Sequence, residues 1–347
     1  MMGHKKFQYL AVAIGFSLWG LYLRTKLLAG RGWWVDEIAQ FTEASGTLKP
    51  FWKRLSNGEM SCFPGDYLLT FPFIKAFGDN KWLTAIPHMV ATAIGFYFLY
   101  LICLRYLKTV WATALAFLIY SANSELIYHS FELRPYAVLA TFSLMVFYCT
   151  ETIVCAEYNP SPIQKFFIGA LFFLTILYQA YGIFIVGFCT LYSILNERSV
   201  TPWKSIIKRI AKLYIIVGVL SMPIWFWWAS YNVENDFTHQ TFDFIPNPMV
   251  DVKGFFKSVV GNLISPKPLR LLLAGPVLAL LLPQPSRLKY IGFFLLLVVL
   301  PITLLLVFDL SRHYWFIQRQ FIWVISLFAF FVAWGWESAV GFAMKRR

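Results

Sequence analysis

The stretch IWVISLFAFFVAW, residues 322–334, contains Ser326 as its one polar side chain. It lies in an apolar run, residues 319–343, that is long enough for an α-helix to cross a hydrocarbon core of about 30 Å. Nine further apolar runs approach the same length: 7–28, 82–104, 109–128, 135–155, 163–178, 180–196, 212–231, 268–283 and 288–308. The sequence therefore predicts an all-α polytopic membrane protein in which residues 1–347 form a single domain of about ten transmembrane helices. The runs at 163–178 and 180–196 are short, so they are either two helices or one long helix broken at Gln179–Gly182.

The composition supports a membrane protein. Hydrophobic residues make up 59% of the chain and charged residues 14%, with a mean hydropathy of +0.62, whereas a soluble domain is about 45–50% apolar and about 25% charged. The net charge of +13 comes from short basic clusters between apolar runs, which is typical of topology signals and lipid contacts and not of a nucleic-acid-binding face. The five cysteines show no paired spacing, so neither a zinc site nor a disulfide framework is indicated.

The basic clusters also predict the orientation. If the N-terminus is cytoplasmic, the short clusters around Lys5, Arg105, 198–212, Arg287 and 345–347 all face the cytoplasm, as the positive-inside rule requires. The other side then collects most of the polar chemistry: a first outer loop at 29–81, the segment 125–134, the break at 179–182, a larger second outer loop at 232–267, and 309–320. We expect a multi-pass protein of a bacterial inner membrane whose active face is extracytoplasmic.

The first outer loop carries an acidic pair, Asp36-Glu37, directly after Trp33-Trp34. Helical spacing of Ile38, Phe41, Ala44 and Leu48 predicts that this pair opens an amphipathic helix with those four residues on one side. Asp36 is then either the N-cap of that helix, with Glu37 as a first-turn acid, or a general base shielded by the tryptophans at the membrane surface.

A second apolar segment of the same loop, Gly65–Gly78, is too short to cross the bilayer. We expect it to be a helix that lies at the membrane interface.

The segment 125–136 holds the next candidates. Glu125, His129 and Glu132 have the spacing i, i+4, i+7, which predicts one shared helix face, and His129 with Glu132 could share a metal ion. Arg134 directly precedes Pro135, a residue suited to the first turn of the next helix. Its guanidinium is placed either to bind a phosphate or to pair with Glu132 or lipid headgroups. Near the last run, Arg312, His313 and Arg319 form either a second half of this anion site or ordinary interfacial anchors.

Several of these motifs resemble the GT-C glycosyltransferases, and within them the protein O-mannosyltransferases and lipid A aminoarabinose transferases. The matching elements are Asp36-Glu37, Pro64-Gly65-Asp66-Tyr67-Leu68-Leu69, Phe77-Gly78-Asp79, Glu132-Leu133-Arg134-Pro135-Tyr136-Ala137, Tyr181-Gly182 and Arg319-Gln320. One departure is Cys62-Phe63-Pro64, where many members have His-Pro-Pro or Lys-Pro-Pro.

The resemblance implies a GT-C bundle that transfers a sugar, with inversion, from a polyprenyl-phosphate donor to an acceptor hydroxyl at the extracytoplasmic face. Asp36 would deprotonate the acceptor, Glu37 would orient Asp36 or hold the acceptor, and Arg134 and Arg319 would contact the donor phosphate. The other substrate-binding candidates are Glu132, Tyr67, Tyr136 and His313. The acceptor is a glycan, a lipid or a protein, no nucleic acid is expected, and no cofactor is implied, with a divalent cation left open. Trp225, Trp227 and Trp228 form an aromatic belt or line a groove for the polyprenyl chain.

Two other interpretations stay open. A transporter or flippase for a lipid or polar solute would use features such as Glu337 inside the last helix and the prolines within the spans. A catalytically inactive relative serving as a scaffold would account for the changed Cys62-Phe63 positions.

Overall fold

The structure, a computed structural model, describes residues 2–57, 64–179, 181–198, 200–234, 252–283, 287–312 and 321–345. The described residues are 86% helical and contain no strand. This confirms the predicted all-α class.

The α-helices follow one another along the whole described chain. In the first half they are α1 (Met2–Gly30), α2 (Val35–Ser45), α3 (Leu48–Ser56), α4 (Pro64–Phe77), α5 (Lys81–Thr84), α6 (Ile86–Tyr106), α7 (Val110–Ala122), α8 (Ser124–Tyr128), α9 (Tyr136–Val154), α10 (Pro162–Tyr178) and α11 (Gly182–Glu197). In the second half they are α12 (Trp203–Glu234), α13 (Val252–Leu263), α14 (Ala274–Leu281), α15 (Arg287–Phe294), α16 (Leu300–Arg312) and α17 (Ile322–Lys345). A 3₁₀ segment, Lys267–Leu273, precedes α14, and a π-helical turn, Leu295–Val299, joins α15 to α16.

Within the described residues, five helical stretches are long and apolar enough to cross a membrane: Ile86–Tyr106, Tyr136–Val154, Trp203–Trp227, Arg287–Leu304 and Ile322–Lys345. A sixth is formed if Lys257–Leu263 and Lys267–Leu281, bent by 90°, count as one span. The described residues of each of the ten predicted apolar runs are mainly helical, but α7, α10 and α11 are too short to qualify alone. The chain is thus a helical membrane protein, and a total of ten spans stays a prediction.

Two predicted boundaries were wrong for identifiable reasons. The run 109–128 divides at Asn123, whose side chain accepts hydrogen bonds from the N–H groups of Glu125 and Leu126 and so starts a new helix, α8. Asparagine is a preferred N-cap because its short side chain satisfies such orphan donors. The run 212–231 belongs to a longer helix that already begins at Trp203, in the basic segment placed outside the span.

The helices α9 and α17 form the centre of the bundle. In the most apolar 18-residue stretch of each helix, 72% of the residues are buried inside the protein. The corresponding share for α12 is 17%, so α12 is peripheral. The core between them is aromatic, with the Phe293 and Phe331 rings stacked at 5.4 Å. A peripheral apolar helix in a membrane protein exposes its side chains to lipid.

The break predicted at Gln179–Gly182 lies between α10, which ends at Tyr178, and α11, which begins at Gly182; the number of spans formed by these two helices stays a prediction. A Cβ atom at Gly182 would lie 2.0 Å from the backbone oxygen of Thr175, so the chain turns back on the end of α10. Only glycine, which has no side chain, permits this approach.

The segment 29–81, predicted to be the first outer loop, contains a separate layer. The helices α2, α3 and α4 enclose a small core of their own, built on Phe51, Leu55, Tyr67 and Ile74. The helix predicted at Gly65–Gly78 is confirmed as α4, Pro64–Phe77, and its location at the membrane interface stays a prediction.

Candidate functional site

The structure brings Asp36 and Arg134 together from positions almost a hundred residues apart. The Arg134 Nη2 atom lies 3.5 Å from the Asp36 Oδ1 atom, and the Arg134 side chain is buried while that of Asp36 is 26% exposed. The predicted base and the predicted phosphate-binding cation therefore share one location, where the carboxylate is reachable from outside.

Glu37 holds the two chain segments in register. Its carboxylate is 2% exposed and accepts hydrogen bonds from the Arg31 guanidinium at 3.1 Å, the Trp34 N–H at 3.0 Å and the Leu133 N–H at 3.1 Å. The bond to Leu133 ties the start of α2 to the residue next to Arg134. Glu37 is thus the side chain that positions Asp36 against Arg134.

The helix start differs from the sequence prediction. Trp34 occupies the N-cap position of α2, so Asp36 lies inside the first turn and is not the N-cap, whereas Glu37 is the first-turn acid that bonds back to the Trp34 N–H. A carboxylate at this third helical position satisfies a donor that would otherwise be orphaned.

The predicted face of α2 is confirmed only for Ala44, which is buried, and for Phe41, which packs against the core of the α2–α4 layer. The helix buries Glu37, Gln40 and Ala44, while Ile38 is 50% exposed and Leu48 belongs to α3 and is 55% exposed. Glu37 and Gln40 can be buried because neighbouring segments offer them hydrogen-bonding partners. A buried polar group is stable only when it is hydrogen-bonded.

His129 connects two carboxylates beside this pair. Its Nδ1 atom lies 2.5 Å from the Glu132 Oε2 atom, and its Nε2 atom lies 3.7 Å from the Glu125 Oε2 atom. The predicted continuous helix face is wrong because α8 ends at Tyr128, yet the turn that follows keeps the three side chains together. Burial raises the pKa of Glu125, an effect partly opposed by His129.

Glu132 is the most enclosed of these acids. It is 0% exposed, and its Oε1 atom has no hydrogen-bond partner among the described residues. Tyr136 packs its ring 5.1 Å from the His129 ring. Tyr67 lies elsewhere: it is buried in the core of the α2–α4 layer, where its hydroxyl donates to the Glu43 carboxylate.

A second polar cluster, which was not predicted, surrounds Asp66. The carboxylate is 0% exposed. It is hydrogen-bonded to the His88 Nε2 atom at 3.0 Å, and it accepts hydrogen bonds from the Tyr178 hydroxyl and the Gln40 side-chain amide. Burial alone would raise the pKa of Asp66, but the His88 charge and these hydrogen bonds outweigh it and lower the pKa. Four helices, α2, α4, α6 and α10, meet at this one carboxylate.

The close contact of α4 with α10 depends on Gly65. A Cβ atom at that position would lie 2.6 Å from the Tyr178 Cα atom, so any side chain would push Asp66 away from the Tyr178 hydroxyl. The small residue next to Asp66 is the one sequence signal for this cluster. Neither His88 nor Tyr178 stands at a spacing that links it to Asp66.

An apolar groove opens between α10, α11 and α12. It has a volume of about 380 Å³. Its walls are formed by aliphatic side chains together with Trp225, Tyr214 and Ser221. Ile176 of α10 lines the groove, whereas Tyr178, two residues further along the same helix, donates to Asp66.

Part of the predicted site lies outside the described residues: His313, Arg319 and Gln320, the changed positions Cys62-Phe63, and residues 235–251 of the predicted second outer loop. Within the described ranges, no group of three or more His, Cys, Asp or Glu side chains has the arrangement of a metal site. The predicted roles of these residues stay predictions.

Comparison with known protein families, with curated proteins and with solved structures finds no match to this chain. The functional assignment therefore depends on the geometry above and on the motifs in the sequence.

Proposed function

We propose that the protein is a membrane glycosyltransferase that moves a sugar from a polyprenyl-phosphate donor to an acceptor hydroxyl, with inversion, at the extracytoplasmic face. The observation that carries this proposal is the contact between Asp36 and Arg134. Transfer from a phosphate-linked sugar needs a base for the attacking hydroxyl and a cation for the departing phosphate, and both groups must lie within reach of one sugar.

The chemistry assigns a role to each partner. The partly exposed Asp36 carboxylate accepts the proton of the acceptor hydroxyl as its oxygen attacks the anomeric carbon. The bond from that carbon to the phosphate oxygen breaks, and Arg134 neutralises the charge that builds on the phosphate. Inversion follows because the hydroxyl attacks from the face opposite the phosphate.

The resting site is not ready for this anion. The described cluster holds four carboxylates, Asp36, Glu37, Glu125 and Glu132, against the two guanidinium groups of Arg31 and Arg134. Arg31 is already bonded to Glu37. We therefore propose that the donor phosphate replaces Asp36 as the ion-pair partner of Arg134, which frees the carboxylate to accept a proton. Arg319 and His313 supply further positive charge.

The groove between α10, α11 and α12 suits the rest of the donor. A polyprenyl chain is apolar, and Trp225, Met222 and Phe226 offer it an apolar wall in a part of the molecule that faces lipid. With the sequence motifs, this supports a GT-C-type bundle of about ten helices in a bacterial inner membrane. The acceptor is a glycan, a lipid or a protein hydroxyl.

The test uses the purified protein in lipid nanodiscs with polyprenyl-phosphate donors that carry mannose, glucose, galactose or aminoarabinose. Donor turnover is followed by mass spectrometry, together with any polyprenyl lipid that is co-purified. Loss of a general base is expected to lower turnover by about 10²–10⁴-fold in Asp36→Asn, and Arg134→Gln should raise the donor KM as well.

Asp79→Asn is the matched control, because Asp79 is an exposed carboxylate at the end of the same loop. It should leave turnover unchanged. Full turnover by Asp36→Asn would remove Asp36 as the base, and no turnover of any donor by the unaltered protein would overturn the proposal.

A further inference from the structure

The helix α3 presents an unusual outer surface. Leu48 and Trp52 are 55% and 47% exposed, and Lys49 and Lys53 stand exposed beside them. Each pair has the spacing i, i+4, so the two apolar and the two basic side chains form neighbouring rows on one side of the helix. A row of large apolar side chains next to a row of lysines is typical of a helix that lies on a membrane surface.

The orientation of α3 is fixed from its other side. Phe51 and Leu55 are buried in the core of the α2–α4 layer, and the Arg54 guanidinium donates to the Glu43 backbone oxygen at 2.5 Å. The exposed rows therefore cannot turn inward without losing these contacts.

A hydrogen bond sets the depth of α3 in the membrane. The Trp227 indole N–H donates to the Ser56 backbone oxygen at 2.9 Å. Trp227 lies in α12, which continues to Glu234, and is four residues before the end of the predicted apolar run 212–231. On the same part of the helix, Met222 and Phe226 are 55% and 73% exposed, as expected for side chains in lipid. The C-terminal end of α3 is thus held near the end of a predicted span, close to the level of the lipid headgroups.

We propose that α3 is a docking surface for anionic phospholipids. Trp52 and Leu48 insert among the headgroups and upper acyl chains, and Lys49 and Lys53 pair with the phosphates and with the extra negative charge of anionic lipids. This contact holds the α2–α4 layer, and with it the start of the loop that carries Asp36, at a fixed height above the bilayer. The proposal does not depend on the transferase activity.

The test measures the depth of α3 directly. A fluorophore is attached through Trp52→Cys in a background without the native cysteines, and the protein is reconstituted into phosphatidylcholine vesicles with or without phosphatidylglycerol. Lipids brominated near the top of the acyl chain should quench this label strongly, and phosphatidylglycerol should increase the quenching severalfold. A label at the exposed Asn57 position, beyond the end of α3, serves as the control and should be quenched mainly by aqueous iodide.

Charge is tested by two matched double variants. Lys49→Gln with Lys53→Gln should abolish the effect of phosphatidylglycerol, whereas Lys49→Arg with Lys53→Arg should keep it. If brominated lipids do not quench the label at position 52, or if the effect of phosphatidylglycerol persists in the glutamine variant, the proposal is wrong. Quenching by iodide alone, as expected if α3 faces water or another protein, would also overturn it.

Discussion

Removing the Asp66 carboxylate should loosen the attachment of the outer layer to the bundle. Asp66→Ala leaves His88, Tyr178 and the Gln40 amide without the acceptor that they share, all in a fully buried place. Breaking a buried charged pair by deleting one partner costs about 3–5 kcal/mol, because the remaining polar groups stay buried and unpaired. We expect the free energy of unfolding to fall by this amount.

The substitution Asp66→Asn separates charge from shape. An asparagine still offers one oxygen to His88 or Tyr178, and its N–H groups can donate to the Gln40 Oε1 atom, which has no partner among the described residues, once the Gln40 amide rotates. The expected loss is therefore smaller, about 1–3 kcal/mol. Because the Asp66 pKa is lowered in the folded protein, the stabilisation is present above the ordinary carboxyl pKa of about 4. It is lost as the pH falls through the lowered value, so the difference between the two proteins should shrink in acid.

Reversible unfolding in mixed detergent micelles measures these losses, and hydrogen exchange of residues 64–77 shows whether α4 detaches first. The exposed Asp79→Ala is the control and should change stability by less than about 0.5 kcal/mol. In a double-mutant cycle, Asp66→Ala and His88→Ala should together cost less than the sum of the single changes, by about 0.5–3 kcal/mol. A loss below about 1 kcal/mol for Asp66→Ala, or strict additivity with His88→Ala, would refute the reasoning.

Three further changes test other parts of the structure. Glu37→Gln should lower donor turnover and speed hydrogen exchange at the Leu133 amide, because the ion pair with Arg31 is lost; unchanged exchange would contradict the positioning role of Glu37. Gly182→Ala should destabilise the protein by about 3 kcal/mol or more in the same unfolding assay, since the new Cβ atom would overlap a backbone oxygen, whereas Gly187→Ala, with nothing within 4 Å of its added Cβ, should not. Glu337→Gln should lower the free energy of unfolding by about 1–2 kcal/mol, because the charged cap of α7 is lost. If the substitution changed donor turnover but not the free energy of unfolding, Glu337 would not act as a structural cap.

The sequence predicted those features that depend on one continuous segment. An apolar run long enough to cross lipid becomes a helix because its backbone groups can be satisfied only within the run, and the described residues of every such run are mainly helical. The short helix at 64–77 followed from its apolar composition in the same way. The approach of Asp36 to Arg134 was also expected, because both were placed on one side of the membrane.

Features that depend on several segments could not be predicted in this way. Gln40, Asp66, His88 and Tyr178 come from four helices, and no spacing in a single sequence relates them. The same cluster explains why the prediction for Ile38 was wrong: hydrophobic periodicity favoured this residue on the packed face, but a hydrogen-bonding partner for Gln40 was available on the bundle side. The hydrophobic periodicity of α2 did not decide which residues are buried, because polar contacts that exist only after the helices pack outweighed it.

The charged residues within the transmembrane part bear on the alternative of a transporter. Glu337 accepts hydrogen bonds from the N–H groups of Lys108 and Thr109, at the N-terminal end of α7. At the other end, the buried Arg24 donates to the backbone oxygens of Tyr120 and Ser121. The positive end of the α7 dipole thus meets a carboxylate and the negative end a guanidinium, as the dipole favours. Two of the charges that a transporter could use to bind its solute, Glu337 and Arg24, are thus engaged in capping one helix, which favours chemistry at the partly exposed Asp36 over transport that uses these two residues.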